Sequence, residues 1–147
     1  MNHRESVIKS IQNLRLRICQ DIVSNQIKTS YYILSVEDSM IDETLDIISS
    51  YVSKGPWLIK ESSPMHIFCD IFSIKILSDK VKDQVEKSIR IFANDVTNND
   101  IKSSYTIAEY EESDNILHIV DILSSYFIGG TITYLESTRR ITFTPII

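Results

Sequence analysis

The residues best suited to chemistry in this chain are Asp114, His118 and Asp121. Residues three and four apart lie on one helix face, so the imidazole of His118 would have a carboxylate one turn away on each side. Such a group could act as a general acid–base relay or as part of a metal site. The same spacing is typical of a solvated helix face, and we expect that simpler role here.

A second concentration of potential ligands is His66, Cys69 and Asp70. In a strand, His66 and Cys69 would point to opposite faces, so these side chains cannot converge on one ion without a bulge. His3 has only Glu5 near it and receives no role. The standard nucleotide, metalloprotease, hydrolase and CxxC redox motifs do not occur. We therefore expect no catalytic residue, no cofactor and no metal site.

Composition indicates a globular protein of ordinary proportions. The chain has 147 residues, 43% of them hydrophobic, and 15 Lys+Arg against 20 Asp+Glu give a net charge of −5. Only Arg15 with Arg17 and Arg139 with Arg140 form close arginine pairs, so sequence-specific nucleic-acid binding is not expected. No apolar run is long enough for a signal peptide or a membrane span. Cys19 and Cys69 lack metal or redox spacing, which predicts free thiols and synthesis in the cytoplasm.

Periodicity predicts four amphipathic helices among the strands of an α+β fold. Asn2 and Glu5 form a capping-box pattern at the first helix, and Ser39 is the expected N-cap of the second. The predicted helices are Glu5–Asn25, one from Ser39 to the Lys54-Gly55-Pro56 stop, Ser78–Val96 and Asn115–Ile128. The predicted strands are Tyr31–Val36, Trp57–Lys60, Met65–Leu77, Tyr105–Tyr110, Thr131–Leu135 and Ile141–Phe143, with a turn at Glu61-Ser62-Ser63-Pro64.

We find no internal repeat, linker or low-complexity segment in the sequence. The prediction is therefore a single α+β domain over residues 1–147, with a mixed or antiparallel sheet and about four helices packed on it. Seven tyrosines fit either protein interfaces or the borders of a sheet.

The C-terminal hairpin is the predicted interface. Pro145 cannot donate to a strand ladder, so we expect this strand to lie at a sheet edge or to leave the sheet there, and a neighbouring chain would cover its apolar residues. The predicted interface residues are Ile141, Phe143, Pro145, Ile146 and Ile147. The alternative is that the tail folds back onto its own core, and the sequence does not choose between the two.

The element order resembles that of small tail-completion or neck proteins of tailed phages, the tail-terminator type. The likeness lies in the opening helix Glu5–Asn25, the strand Met65–Leu77 running into the helix Ser78–Val96, and the terminal hairpin Thr131–Ile147. It implies a non-enzymatic virion protein that forms a homo-oligomeric ring between head and tail. The competing interpretation is an acidic cytoplasmic binding module, such as an immunity or inhibitor protein. An enzyme built around His118 is the third.

Overall fold

The computed structural model describes residues 2–52 and 65–146 in full and the backbone of residues 57–60. Within these ranges the chain forms two three-stranded antiparallel sheets, in the orders β1-β3-β2 and β4-β6-β5. The predicted α+β class is confirmed. The elements are α1 (His3–Val23), β1 (Ser30–Val36), α2 (Ile41–Ser49), β2 (Trp57–Lys60), β3 (Met65–Asp70), α3 (Asp79–Thr97), β4 (Tyr105–Glu109), α4 (Ile116–Leu123), β5 (Gly130–Leu135) and β6 (Arg140–Pro145).

The chain consists of two structurally equivalent halves. The order helix, strand, helix, strand, strand occurs twice, and in each sheet the last strand lies in the middle. The pairing register shifts at the same place in both first strands, between Tyr32 and Leu34 and between Thr106 and Ala108. The expectation of no internal repeat is therefore wrong.

A tyrosine motif links the first helix of each half to the strand that follows it. The Tyr31 hydroxyl donates to Asp21 Oδ2 at 2.6 Å and accepts from the Lys28 backbone N–H at 3.0 Å. In the intervening turn of each half an asparagine has a positive φ, 60° at Asn25 and 56° at Asn99. The second half repeats both hydrogen bonds, at 2.6 and 2.9 Å, with Tyr105, Asp95 and Lys102.

The sequence carries short traces of this repeat. KTSY at 28–31 corresponds to KSSY at 102–105, and DIISSY at 46–51 corresponds to DILSSY at 121–126. These are the segments in which backbone geometry depends on particular side chains. The core positions between them keep only their apolar character, which hides the repeat from a motif search.

Helices cover one face of each sheet, and α1 packs against α3 between the halves. Each half has its own apolar core, but the two cores exchange residues. Cys19 of α1 belongs to the core of the second half, and Ile128 belongs to the core of the first. The halves therefore share one packed interior.

The third strand is shorter than predicted. β3 ends at Asp70, and a 3₁₀ turn over Ile74–Ile76 replaces the rest of the predicted strand. The reason is a contact with the second half, because the Phe72 N–H donates to Ser125 Oγ at 3.1 Å and the Phe72 carbonyl accepts from the Tyr126 hydroxyl at 2.5 Å. These bonds hold the connecting segment outside the sheet.

Two helix boundaries also differ from the prediction. α4 ends at Leu123 because Ser125 and Tyr126 are used in the contact with Phe72. α2 is preceded by a 3₁₀ turn over Asp38–Met40, and its N-cap residue is Met40, so the predicted cap at Ser39 is wrong. The predicted stop at Lys54-Gly55-Pro56 and the turn at Glu61-Ser62-Ser63-Pro64 lie outside the described residues.

The C-terminal strand is central, so the predicted sheet edge is wrong. β6 pairs with β4 on one side and β5 on the other. The side chains of Ile141 and Phe143 are fully buried in the chain's own core. Pro145 is tolerated because β4 pairs with β6 only as far as Phe143, so that Pro145 lies at the end of β6 with β5 alone beside it.

The backbone at Ile146 is held within the chain, while the Ile146 side chain is 39% exposed. The Ile146 N–H donates to the Gly129 carbonyl at 2.8 Å. The buried guanidinium of Arg15 in α1 donates to the carbonyls of Ile146 at 2.8 Å and Gly129 at 3.3 Å. Arg15 thus joins the first half to the end of the second. Ile147 lies outside the described residues, and an interface role for the tail stays a prediction.

The tyrosine motif predicts a specific loss of stability in alkali. Burial and a hydrogen bond to an aspartate raise the pKa of Tyr31 to about 12, and the same causes raise the pKa of Tyr105 to about 12. The pKa of an unfolded tyrosine is about 10. The stabilising contribution is therefore present below about pH 10 and is lost as the pH rises toward 12.

We expect the free energy of unfolding of the wild type to fall between about pH 10 and 12 more steeply than that of the Tyr31→Phe/Tyr105→Phe double variant. Denaturant titrations across this interval measure both slopes. Tyr134→Phe, outside the motif, serves as the control and should follow the wild type. Parallel curves for the wild type and the double variant would show that the two phenols do not couple to folding.

Candidate functional site

The predicted acid–base group does not form a site. Asp114 lies before α4, and its Oδ2 accepts from the Glu111 N–H at 2.8 Å, which fixes the turn. His118 and Asp121 lie on the exposed face of α4. Asn115, the N-cap of α4, accepts from the backbone N–H of His118 at 3.3 Å. The expected solvated face is confirmed for His118 and Asp121. The prediction is wrong for Asp114, which lies before the helix and not on its face.

The second predicted group is divided between the two faces of β3. Cys69 is fully buried, whereas His66 lies on the opposite, outer face, as the strand spacing predicts. Burial raises the pKa of the Cys19 and Cys69 thiols to about 12, so neither is primed as a nucleophile. In the ranges 2–52 and 65–146, no three His, Cys, Asp or Glu side chains are grouped to hold a metal ion.

An aromatic cluster lies on the outer face of the first sheet. Tyr32 is 43% exposed, and its ring is edge-on to Phe68 at 5.7 Å and to His66 at 6.1 Å between centroids. The Tyr32 hydroxyl and Ser35 Oγ are 2.5 Å apart, and Ser35 Oγ also hydrogen-bonds His66 Nδ1. On this outer face Tyr32 is exposed, and Phe68 and His66 are half-buried beside it.

Ser35 of this network hydrogen-bonds both a tyrosine and a histidine. A serine hydrogen-bonded to a histidine is the start of a nucleophilic site, but the base must be oriented by a third group and the substrate held in a cleft. Here a tyrosine hydroxyl is the second partner of Ser35, and the cluster stands on an open sheet face. Sequence reasoning missed it because only the pairing of β1 with β3 brings Ser35 beside His66.

The equivalent face of the second sheet is mostly polar, with Leu135 as an exposed apolar residue. At the register positions of Tyr32 and Phe68 the second half has Thr106 and Thr142. At the positions of Ser35 and His66 it has Glu109 and Arg140, whose charged groups are 3.7 Å apart. The other outward residues of this sheet include Thr131, Thr133 and Thr144. The aromatic surface is thus specific to the first half.

The edge strands of the two sheets differ as well. In the second half, the Gln84 side-chain amide donates to the Glu109 carbonyl at 3.0 Å and accepts from the Glu109 N–H at 3.0 Å. Ser88 Oγ donates to the Ile107 carbonyl at 2.7 Å. Both side chains come from α3. They satisfy the outward backbone groups of β4 and close that edge.

The edge of β1 has no such cover from the corresponding helix positions. Ser10 of α1 corresponds to Gln84, and its hydroxyl donates to the Ser6 carbonyl at 3.1 Å within its own helix. Leu14 corresponds to Ser88 and is buried in the core. Between α1 and β1 lies a groove of about 400 Å³. Its lining residues are Ser10, Asn13, Leu16, Arg17, Tyr32 and Ile33.

Comparison with known proteins gives no match to a family model, to a curated protein or to a solved structure. None of the helices in the described ranges combines the length and apolar character that a bilayer span requires. At the edge of β1, Arg17 donates to the Tyr32 carbonyl at 2.6 Å, and no side chain of the described residues bonds to the Ser35 backbone. The first sheet, with its aromatic face and partly open edge, is the basis for a functional assignment.

Proposed function

We propose that the chain is a non-enzymatic protein-binding module whose binding surface is the aromatic face, defined as Tyr32, His66 and Phe68. The observation that carries this proposal is the contrast between the halves. Because the second half forms the same unit with Thr106 and Thr142 at the corresponding positions, aromatic rings at these two positions are not needed for the fold. Exposed aromatic groups on an otherwise polar surface are typical of protein interfaces.

A protein partner fits this surface better than a nucleic acid does. The net charge is −5, and the arginines that stand out in the sequence are engaged within the chain. Arg15 is buried, and Arg17 donates to the Tyr32 carbonyl at 2.6 Å. Arg139 and Arg140 form ion pairs with Glu112 and Glu109. Of these four arginines only Arg17 keeps guanidinium donors for a ligand, and a single guanidinium is not a phosphate-binding cluster.

The acidic binding module was the competing interpretation of the sequence, and the contrast between the halves favours it. The phage neck role stays a prediction, and so does a location in the virion or in the cytoplasm. A neck ring requires many copies in one particle, whereas a binding module is a monomer or a one-to-one complex. The native mass of the purified particle distinguishes these two roles.

The experiment that tests the proposal places a photo-crosslinking amino acid at position 32 or at position 106 in cells that express the chain naturally. We expect a specific crosslinked partner from position 32 and none from position 106. The double variant Tyr32→Thr/Phe68→Thr copies the second half. It should keep its fold and weaken binding of that partner by about tenfold or more.

The matched control is Thr106→Ser/Thr142→Ser, which changes the equivalent face and should leave partner binding intact. Equal crosslinking from positions 32 and 106 would contradict the proposal. Full binding by a folded Tyr32→Thr/Phe68→Thr variant would contradict it as well.

A further inference from the structure

The second half shows which chemical group fits beside the first strand of this unit. Gln84 forms two hydrogen bonds with the backbone of Glu109, one to the N–H and one to the carbonyl. A neighbouring antiparallel strand makes the same pair of bonds with a residue at a sheet edge. The side-chain amide of Gln84 therefore occupies the place that a peptide group of an added strand would take.

The first half presents the same backbone groups without that amide. Ser35 pairs with His66 in the same register in which Glu109 pairs with Arg140, so the N–H and carbonyl of Ser35 also point away from the sheet. Residues 2–52 and 65–146 include no hydrogen-bond partner for these two groups. The groove between α1 and β1 is lined by Ser10, the position that corresponds to Gln84, and by Tyr32 and Ile33 of β1.

Charge indicates which added strand is favoured. Arg17 lines the groove and donates one N–H to the Tyr32 carbonyl. The other donors of its guanidinium are left for a ligand. A carboxylate is the side chain that matches a guanidinium in both charge and geometry. Pairing with β1 of a second copy would instead bring a second Arg17 to the same edge.

We propose that an extended segment of a partner protein adds to the β1 edge as a fourth strand, with a side-chain carboxylate at Arg17. This inference rests on the proposed function and names the kind of partner that the first sheet takes. Main-chain hydrogen bonds to Ser35 would supply affinity, and Arg17 together with the exposed ring of Tyr32 would supply selectivity.

The test uses a displayed library of random ten-residue peptides, selected on the full chain and counter-selected on Ser10→Gln. This variant places at position 10 a glutamine, the residue type that covers the β4 edge at the corresponding position 84. We expect the selected peptides to alternate strand-forming residues and to contain an Asp or Glu. As amidated synthetic peptides they should bind Ser10→Gln at least about tenfold more weakly than the wild type.

Four controls accompany this measurement. Ser10→Ala leaves the edge open and should bind like the wild type, and thermal unfolding shows whether Ser10→Gln is folded. N-methylation of the peptide at alternate residues removes main-chain donors and should abolish binding. In amide spectra of the full chain, addition of the peptide should shift the signal of Ser35 and leave that of Glu109 in place.

Selected peptides that bind folded Ser10→Gln as tightly as the wild type would overturn the inference, and so would peptides that tolerate N-methylation. Failure of the library to yield any binder would count against it equally. Self-association of the chain that Ser10→Gln abolishes would assign the edge to a second copy instead. If strand addition fails while crosslinking from position 32 persists, the aromatic face remains the proposed binding surface and only the role of the β1 edge is refuted. If both experiments fail, the proposed function is refuted as well.

Discussion

Removal of residues 145–147 is expected to lower the free energy of unfolding of the isolated chain by about 3 kcal/mol. The truncation takes away the Ile146 carbonyl, which accepts from Arg15 at 2.8 Å, and leaves the guanidinium with the longer bond to Gly129. Burial already lowers the pKa of Arg15, but a guanidinium stays charged in a protein. The cost is that of a buried cation without its best acceptor.

Arg15→Met separates this cost from the loss of packing. The residue at the corresponding place in α3 is Ile89, so an apolar side chain suits this helix position. The truncation should cost less in the Arg15→Met background than in the wild type, as a double-mutant cycle in urea would measure. A truncated chain that keeps its full stability and loses only association would instead support the interface first predicted for the tail.

Gly130→Ala should destabilise the chain by about 3 kcal/mol or more, or prevent folding. A Cβ at this position would lie 2.3 Å from the Thr144 carbonyl oxygen and 2.7 Å from the Pro145 Cα. Both atoms belong to the backbone of the central strand β6, so relief of the clash requires β5 and β6 to move apart. The effect comes from close approach of two strands, since Gly130 does not have a positive φ.

Thr131→Ala is the matched control for Gly130→Ala. Thr131 is the next residue of β5, with its side chain on the exposed face, and the change should cost about 0.5 kcal/mol or less. Equilibrium unfolding of both variants in urea makes the comparison. A Gly130→Ala variant as stable as Thr131→Ala would mean that β5 and β6 are not packed as closely as the structure shows.

Local signals in the sequence predicted most of the elements correctly. The capping box at α1 is present, with Asn2 Oδ1 accepting from the Glu5 N–H at 2.8 Å. The apolar stripe of α3 is buried as its spacing predicts. These features succeed because each depends on residues three or four positions apart in one helix.

Non-local contacts account for the errors. Pro145 suggested an edge strand, but β6 is central and Pro145 lies at its end, beyond the last pair with β4 at Phe143. The apolar run after Asp70 suggested a longer strand, but Ser125 and Tyr126 of the other half hold Phe72 outside the sheet. In both cases the deciding contacts come from other elements of the chain, so no local sequence pattern includes them.

The candidate site could not be predicted from the sequence for the same reason. Tyr32 and Ser35 meet His66 only through the pairing of β1 with β3, and the closed edge depends on Gln84 in a different element from Glu109. The difference between the two halves in their outer faces and edges becomes visible only when the halves are compared position by position. The motifs KTSY/KSSY and DIISSY/DILSSY would have revealed that correspondence in the sequence.

The central claim is that the two halves have the same fold, but that side chains cover the outer edge of β4 at Glu109 and leave the edge of β1 open at Ser35. Hydrogen exchange at these two backbone amides tests this claim most directly. In the free full-length chain, the Glu109 N–H should exchange at least about tenfold more slowly than the Ser35 N–H after correction for intrinsic rates. Gln84→Ala should remove this difference by freeing the Glu109 N–H. A Ser35 amide as protected as that of Glu109, or a Glu109 amide unaffected by Gln84→Ala, would contradict the account.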